Sequence, residues 1–304
     1  MRTRQRGIAI VLAMGVVALA AIAAAAIMVS QSTWSRQAEL TADHVQAQAV
    51  LQAGADWARA LLSDDRRISS VDHLGEPWAL KLPPMQVENG ELVGGIEDQQ
   101  GKFNLNNLVS GGKINFGQLA SFQRLLATLG LPHELAGALA DWIDEDSQPQ
   151  PRDGAEDAYY LALDPPYLAA NRPLIDVAEL ALVRGFDDTV RARLHPYVSA
   201  LPRFTAVNVN TAPPEVLAAV VEGLELGGAQ LLVAQRERAY FRSADDFLRR
   251  LPQGAAAATN DISVSTDYFM ATLRVTIGGA QARGKVLLAR GATGWPVIVW
   301  RKYL

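Results

Sequence analysis

An uninterrupted apolar segment near the N-terminus is the strongest pattern in the chain. Residues 8–29 include no polar or charged side chain, and as a helix they would span roughly 33 Å, about the hydrocarbon thickness of a bilayer. Three arginines precede the segment, and no acidic residue appears before Glu39. The positive-inside rule therefore predicts one membrane-spanning helix, with residues 1–7 in the cytoplasm and the bulk of the chain on the far side.

A narrower apolar stripe follows this segment. Apolar residues recur at steps of three and four from Trp34 to Ala60, charged residues lie off the stripe, and no proline occurs before Pro77. The pattern predicts one long helix over about 8–62, embedded at its start and amphipathic afterwards. A membrane anchor followed by a separate surface helix is the alternative.

The middle of the chain is predicted to be helical. Glycine and proline indicate a loop over 64–84, weak alternation indicates a strand over 91–97, and a turn and strand follow it. Short apolar-periodic segments that open at proline and end at glycine then indicate a compact α domain. The predicted helices cover residues 116–129, 132–142, 173–183, 214–221, 229–238 and 243–251.

The C-terminal part has the period of strands. Residues 269–277 alternate between apolar and polar side chains, two glycines at 278–279 indicate a hairpin turn, and apolar stretches follow at 286–289 and 295–300. If the strand at 91–97 pairs with these strands, the helical block is an insertion in a small antiparallel sheet domain. The predicted fold class is therefore α+β, with the long helix packed on the sheet.

Composition excludes several classes of site. The chain has 304 residues, a formal net charge of −4, and no cysteine. Disulfides, thiolate metal sites and cysteine nucleophiles are therefore excluded. The acidic balance argues against nucleic acid as the main partner, because phosphate binding needs a clustered basic surface.

Catalytic motifs fail on inspection, and the chain is predicted not to be an enzyme. Residues 279–285 match the glycine and lysine spacing of a phosphate loop, but Val286 replaces the metal-binding hydroxyl and the segment joins two strands. Ser110 lacks the glycine of a nucleophile elbow. No two histidines have the spacing that a zinc helix needs; they are His44, His73, His133 and His195.

One acidic cluster stands out. Residues 141–157 hold seven carboxylates against Arg152 alone, at the end of an apolar helix. Such a loop repels itself unless a hard cation collects the oxygens, and calcium takes six to eight of them. The EF-hand template fits only at Asp144 and Asp146, so a site here would be of another kind. A solvated acidic loop is the alternative.

The N-terminal leader resembles that of type IV prepilins and type II secretion pseudopilins. In those families a peptidase cuts after a glycine that follows a short basic leader, and methylates the new N-terminus; here the matching residues are Gly7 and Ile8. Most members carry Glu at the fifth mature position, which here is Leu12. In lacking that Glu, the chain resembles the large minor pseudopilin, type II secretion protein K. The alternative is a signal peptide cut near residues 23–25.

Two further motifs resemble the protein K family. Residues 98–108 read D-Q-Q-G-K-F-N-L-N-N-L, and residues 141–160 match a W-I-D-x-D…G-A-E-D-x-Y-Y block. The family is described as calcium-binding in this domain. Carried over by matching positions, the resemblance implies Asp144, Asp146, Glu156 and Asp157 as ligands, with Asp153 as a secondary candidate.

The resemblance also implies a domain organisation. A pilin-like long helix would pack on a small antiparallel sheet that carries a large inserted α-helical (SAM-like) domain. The expected parts are a cleaved leader at 1–7, a transmembrane segment at 8–29, a periplasmic helix at 30–66, a sheet domain at 67–115 and 252–304, and the inserted domain at 116–251.

The implied function is structural. The chain would cap the tip of the type II secretion pseudopilus, needed for export of folded proteins across the outer membrane, anchored in the inner membrane with its bulk in the periplasm. Implied partners are minor pseudopilins I and J, indirectly the major pseudopilin G and minor H, and the prepilin peptidase, with no nucleic acid. Alternatives are a minor pilin of a type IV pilus, a membrane-tethered DNA-uptake receptor and a secreted calcium-dependent hydrolase.

Overall fold

A single long helix dominates the molecule. The computed structural model describes residues 4–80, 83–151 and 153–304, so three leader residues lie outside the described part. Helix α1 (Arg4–Ile68) runs unbroken for 65 residues, which confirms one long helix and excludes a separate second helix. Every residue from 8 to 42 is exposed, and the helix is long and apolar enough near its N-terminus to cross a membrane.

The remaining elements are much shorter than α1. Within the described residues the other helices are α2 (Phe116–Thr128), α3 (Leu135–Ile143), α4 (Asp157–Tyr160), α5 (Asp188–Leu194), α6 (Pro214–Val220), α7 (Leu226–Arg238) and α8 (Ala244–Arg249). The strands are β1 (Met85–Val87), β2 (Gly90–Asp98), β3 (Phe103–Asn104), β4 (Val109–Ser110), β5 (Lys113–Ile114), β6 (Val198–Ser199), β7 (Val207–Asn208), β8 (Ile262–Ser263), β9 (Tyr268–Ile277), β10 (Ala280–Ala289) and β11 (Val297–Tyr303).

Five strands form one antiparallel sheet in the order β1-β2-β9-β10-β11. Strand β2 pairs with β9 from Gly90 opposite Ile277 to Asp98 opposite Phe269, so the predicted pairing of the 91–97 strand with the C-terminal strands is confirmed. The chain reverses at Gly278, whose φ of +50° favours glycine. The stretch predicted at 286–289 is the end of β10, and the stretch predicted at 295–300 overlaps the start of β11. The rest of each strand contains polar residues, so it lacks the apolar pattern from which a strand is predicted.

The C-terminal half of α1 packs on one face of this sheet. Leu51 and Leu62 are buried there, and a β carbon at Gly54 would lie 3.3 Å from the Leu92 side chain. Glycine and alanine on the inner face let the helix approach the strands closely. Burial of a leucine such as Leu51 contributes about 1.5–3 kcal/mol, so this face holds α1 to the sheet.

A second core fills the helical part. Phe103 and Phe122 stack with ring centroids 5.6 Å apart, and Leu105 and Leu108 are fully buried beside them. The 98–108 segment, predicted from sequence to lie with the sheet, therefore packs its apolar residues among the helices. Ile262 does the same from the other end of the insertion.

The helical predictions differ from the structure in three places. The helix predicted at 173–183 is a short 3-10 helix at Val177–Leu182, capped by Asp176 and Glu179. Helix α3 begins at Leu135 rather than at Pro132. Helices α4 and α5 have only four and seven residues, too few for an apolar period to be visible in the sequence.

Candidate metal centre

Helix α3 positions Asp144, the first acidic side chain of the candidate site. All nine of its residues are buried, and the residue that caps its C-terminal end is Asp144, whose amide donates to the carbonyl of Ala140 at 2.9 Å. Because the helix is fixed on all sides, the Asp144 carboxylate is held at its C-terminal end with only 2 % of the residue exposed. A buried position is unusual for an ionisable side chain without a partner.

Three carboxylates converge beyond this helix end. Asp144, Asp146 and Glu156 each offer an oxygen within 4.8 Å of the others. Asp144 and Glu156 are buried, whereas Asp146 is exposed, and we call this group the acidic pocket. Asp144 and Glu156 are twelve residues apart in sequence, and the loop between them brings their carboxylates together.

Neighbouring backbone holds the loop in this form. The buried Asp141 carboxylate accepts from the amides of Gln150 at 3.0 Å and Ala155 at 2.9 Å. A β carbon at Gly154 would lie 2.3 Å from the same carboxylate, so only glycine fits there. Asp141 therefore uses its oxygens to fix the loop, not to fill the acidic pocket.

The acidic pocket leaves oxygens without donors. One oxygen of Asp144 and both oxygens of Glu156 are buried and accept no hydrogen bond from the described residues. Burial, and secondarily the nearby charges of Asp146 and Asp141, raise the pKa of Asp144 to about 7. Burial, followed by four neighbouring carboxylates, raises the pKa of Glu156 to about 7.

Two of the residues predicted as ligands are not among the three carboxylates that group within 4.8 Å. One oxygen of Asp157 accepts from the amide of Ala169 at 2.9 Å, and its charge still acts on the neighbouring Glu156. Asp153 groups with His133 and Glu134, which are both exposed. Arg152, the one cation in this stretch of sequence, lies outside the described residues.

The acidic pocket fits a hard divalent cation. Carboxylate oxygens are the ligands that calcium prefers, and a cation would neutralise charges that otherwise repel one another. The orphaned oxygens of Asp144 and Glu156 are the observation that supports this fit, because buried acceptors normally have partners. Calcium is the cation that the sequence predicted; the acidic pocket would supply it with Asp144, Asp146 and Glu156.

The sequence did not reveal a second buried polar group, which joins the sheet to the helical part. Asp98, at the end of β2, accepts from Thr211 at 2.6 Å, Thr266 at 2.7 Å and Asn208 at 3.0 Å, and from two amides of its own turn. Burial raises the pKa of Asp98, while these hydrogen bonds oppose that rise. The aspartate of the family-like motif therefore binds the insertion to the sheet.

Arg290 completes this group. Its guanidinium donates to Asp65 at 2.8 Å and to both oxygens of Asp72 at 2.5 and 2.6 Å, and all three residues are buried. Asp65 belongs to α1, and Asp72 accepts from the amide of Thr266 at the return of the insertion. We call these residues, with Asp98 and Asn208, the junction network.

Asn106 and Asn107 of the 98–108 segment, and Asn210 further along the chain, act as backbone substitutes. Asn106 exchanges hydrogen bonds with both main-chain groups of Leu174, and Asn107 does the same with Thr205. Asn210 pairs in this way with Phe241. Repeated asparagine is the sequence signal of these contacts, although the partners cannot be read from it.

Comparison with known proteins identifies the family. Two family models described as "Type II secretion system (T2SS), protein K" match residues 101–203 and 207–265. The chain is 39 % identical to the type II secretion system protein K of Pseudomonas aeruginosa, covering 97 % of this chain and 91 % of that one. It is 35 % identical to the protein K of Klebsiella pneumoniae, covering 100 % and 98 %.

A solved structure has the same fold. A chain in the crystal structure of the GspK-GspI-GspJ complex from the enterotoxigenic Escherichia coli type 2 secretion system matches with a TM-score of 0.75 at 27 % identity. The match covers 85 % of this chain and 96 % of that chain. By sequence and by fold, this chain belongs to the type II secretion system protein K family.

Proposed function

We propose that this chain is the minor pseudopilin that caps the tip of a type II secretion pseudopilus and supports the export of folded proteins across the outer membrane. Membership of the protein K family supports the pseudopilin role. The related structure is of a complex with GspI and GspJ, which supports the corresponding pseudopilins I and J as direct partners. Because the family is a structural component of a secretion system, we assign the chain no catalytic step.

The observation that carries the proposal is the contrast between the two ends of the molecule. Residues 8–42 of α1 form a bare helix whose apolar start suits a bilayer and neighbouring helices. The other end carries a helical insertion with its own core. A bulky insertion obstructs the addition of another subunit above it, so only an end position accommodates both features. The major pseudopilin G and minor H are indirect partners in this arrangement.

The leader provides the first test. In our proposal the prepilin peptidase cuts after Gly7 and methylates Ile8, which leaves the helix attached in the inner membrane with the bulk in the periplasm. The replacement Gly7→Asp should leave the full-length precursor in the membrane, whereas mass spectrometry of the wild-type chain should find a methylated N-terminus at Ile8. A mature chain that begins near Gln31 would overturn this proposal.

The tip position has a separate test. Leu12 stands where most pseudopilins carry the Glu that pairs with the amine of a neighbour, so this subunit lacks that partner group. Because the chain has no cysteine, Leu12→Cys offers one defined cross-linking position. We expect cross-links only to subunits on the membrane side of this chain. A cross-link that traps a copy above it would count against capping.

We further propose that the acidic pocket binds calcium as a structural ion. Asp144, Asp146 and Glu156 would hold the ion, which would offset their mutual repulsion and fix the loop between α3 and α4. Asp157 and Asp153 act outside the ligand set. The orphaned oxygens of Asp144 and Glu156 support this proposal.

A further inference from the structure

Strand β11 is an edge of the five-stranded sheet. It pairs with β10, and no other described strand lies on its far side. Pairing in an antiparallel ladder uses alternate residues, so the other main-chain N–H and C=O groups point away from the sheet. Leu304 donates its amide inward to the carbonyl of Arg283, and alternation therefore points the amide of Arg301 outward.

The first half of this edge has little protection against further pairing. Residues 297–300 read Val-Ile-Val-Trp, which combines high β propensity with no charge and no proline. Val297 is 65 % exposed and Val299 is 39 % exposed. Natural proteins blunt open edges with charges, prolines or covering segments, so an apolar open edge marks a place where another strand adds.

The edge is also held firmly in place. Ile298 packs on the core between α1 and the sheet, whereas Trp300 packs on the opposite face beside Leu201 of the insertion. A bulge opposite Leu287 and Leu288 produces this change of face. A strand that is anchored on both faces presents its outward groups in a fixed row, which lowers the entropic cost of binding.

The side chains along the edge define the partner's chemistry. Beside the apolar half lie Arg301, which donates to the neutral Gln52, and Lys302, which is 3.5 Å from Asp176. A matching strand carries β-branched or aromatic residues beside the apolar half and a carboxylate beside Arg301, which has no acidic partner among the described residues, whereas Lys302 is already paired with Asp176. Residues 297–304 include no Asp or Glu, so a second copy of this edge offers no acidic side chain to Arg301.

We propose that β11 accepts an extended strand from a separate protein, a pseudopilin of the same assembly, which continues the sheet. The identity of the partner rests on the proposed function, whereas the binding mode rests on the open edge. Main-chain hydrogen bonds supply affinity, and the apolar contacts with residues 297–300 together with the charge of Arg301 supply specificity.

A pair of substitutions at one position tests the binding mode. Arg301→Pro removes an outward amide and no bond to β10, whereas Arg301→Thr removes the same charged side chain but keeps the amide. The full-length chain is co-expressed with pseudopilins I and J and recovered from membranes in mild detergent. We expect Arg301→Pro to weaken capture of one partner about tenfold or more relative to Arg301→Thr, since outward main-chain bonds are lost.

A matched proline on the opposite edge is the control. Gln86 lies in β1 next to the hairpin pair of Val87 and Gly90, where its amide also points outward. Gln86→Pro should leave capture within about twofold of the wild type. If Gln86→Pro weakens capture as much as Arg301→Pro, the loss is not specific to β11 and the inference is wrong.

Cross-linking gives a readout that a general loss of structure would not mimic. With Val299→Cys as the only cysteine in this chain, single cysteines are placed along successive residues of the captured partner. Strand addition predicts cross-links whose yield alternates with a period of two residues. Three outcomes would overturn this inference and leave the proposed function standing. They are cross-link yields without alternation, cross-links only between two copies of this chain, and equal capture by Arg301→Pro and Arg301→Thr. A wild-type chain that captures neither partner would overturn the proposed function as well.

Discussion

Two regions of this molecule bury carboxylates, and they differ in the hydrogen-bond donors that those carboxylates have. In the junction network, Asp98 has five donors, and Asp72 is bound on both oxygens by Arg290. In the acidic pocket, both oxygens of Glu156 and one of Asp144 have no donor among the described residues. Similar residues at similar depth thus have complete partners in one place and unsatisfied oxygens in the other.

The difference separates a structural role from a binding role. A buried carboxylate with its donors in place stabilises one arrangement of the chain and needs nothing further. A buried carboxylate without donors costs free energy until a cation binds it. Removing a partner should therefore harm the junction network, whereas adding a cation should help the acidic pocket.

The largest effect should follow removal of Arg290. Arg290→Ala leaves Asp65 and Asp72 buried without their cation, and the free energy of unfolding should fall by about 3–5 kcal/mol. Urea unfolding of the detergent-solubilised full chain, followed by circular dichroism, measures the change. Arg203→Ala, which removes an ion pair with the partly exposed Asp267, is the control and should cost about 1 kcal/mol or less. Equal losses in the two variants would contradict the contrast.

Calcium removal should have the next largest effect. If the acidic pocket binds the ion, the calcium form gains about 2.7 kcal/mol at a hundredfold excess of free calcium over the dissociation constant. Chelation should therefore lower the melting temperature, and magnesium should restore it poorly, because it gives up its waters reluctantly. Asp144→Ala should remove most of the calcium response while Asp157→Ala keeps it. Identical melting curves in calcium and in chelator would show that the acidic pocket binds no calcium that stabilises the fold.

The same substitution should have opposite signs in the two regions. Asp98→Asn places an amide against donors that need an acceptor, which should lower the free energy of unfolding by about 1–3 kcal/mol. Asp144→Asn in chelator removes a buried charge without donors, and it should leave stability unchanged or raise it. Parallel urea titrations compare the two variants, and a loss in both would mean that Asp144 already has a partner.

A pH-dependent effect concerns Glu76, beside the junction network. Burial raises the pKa of Glu76 to about 7, although the amide of His73 and the indole of Trp78 both donate to it. The folded state therefore binds the Glu76 proton more tightly than the unfolded state. This contribution to stability is complete below the unfolded pKa near 4.5 and is lost as the pH rises through about 7.

Glu76→Gln should remove this part of the pH dependence, because the amide oxygen still accepts both hydrogen bonds. Melting temperatures of the calcium-saturated wild type and variant between pH 5 and pH 8 should diverge as the pH rises, with the wild type losing more. Curves that stay parallel would show that Glu76 is ionised throughout this range.

The local pattern of apolar and polar residues was sufficient to predict much of the secondary structure. The absence of proline and the steady apolar stripe predicted one helix over 8–62, and α1 covers Arg4–Ile68. Alternation and two glycines predicted β9 and its hairpin. Both features depend on neighbours in the chain, which a sequence displays directly. The acidic cluster at 141–157 was visible for the same reason.

Which carboxylates meet was decided by tertiary structure. Asp157 follows Glu156 directly, yet one of its oxygens accepts from the amide of Ala169, whereas both oxygens of Glu156 are buried in the acidic pocket. Asp98 shows nothing unusual in sequence, and three of its five donors come from residues more than a hundred positions away. The sequence by itself determined the long helix, strand β9 with its hairpin, an apolar segment long enough to cross a membrane, and the acidic composition of one loop. Solvation and hydrogen-bond partners depend on distant segments. Only the folded chain therefore decided that Asp98 is satisfied, while Asp144 and Glu156 keep oxygens without a donor among the described residues.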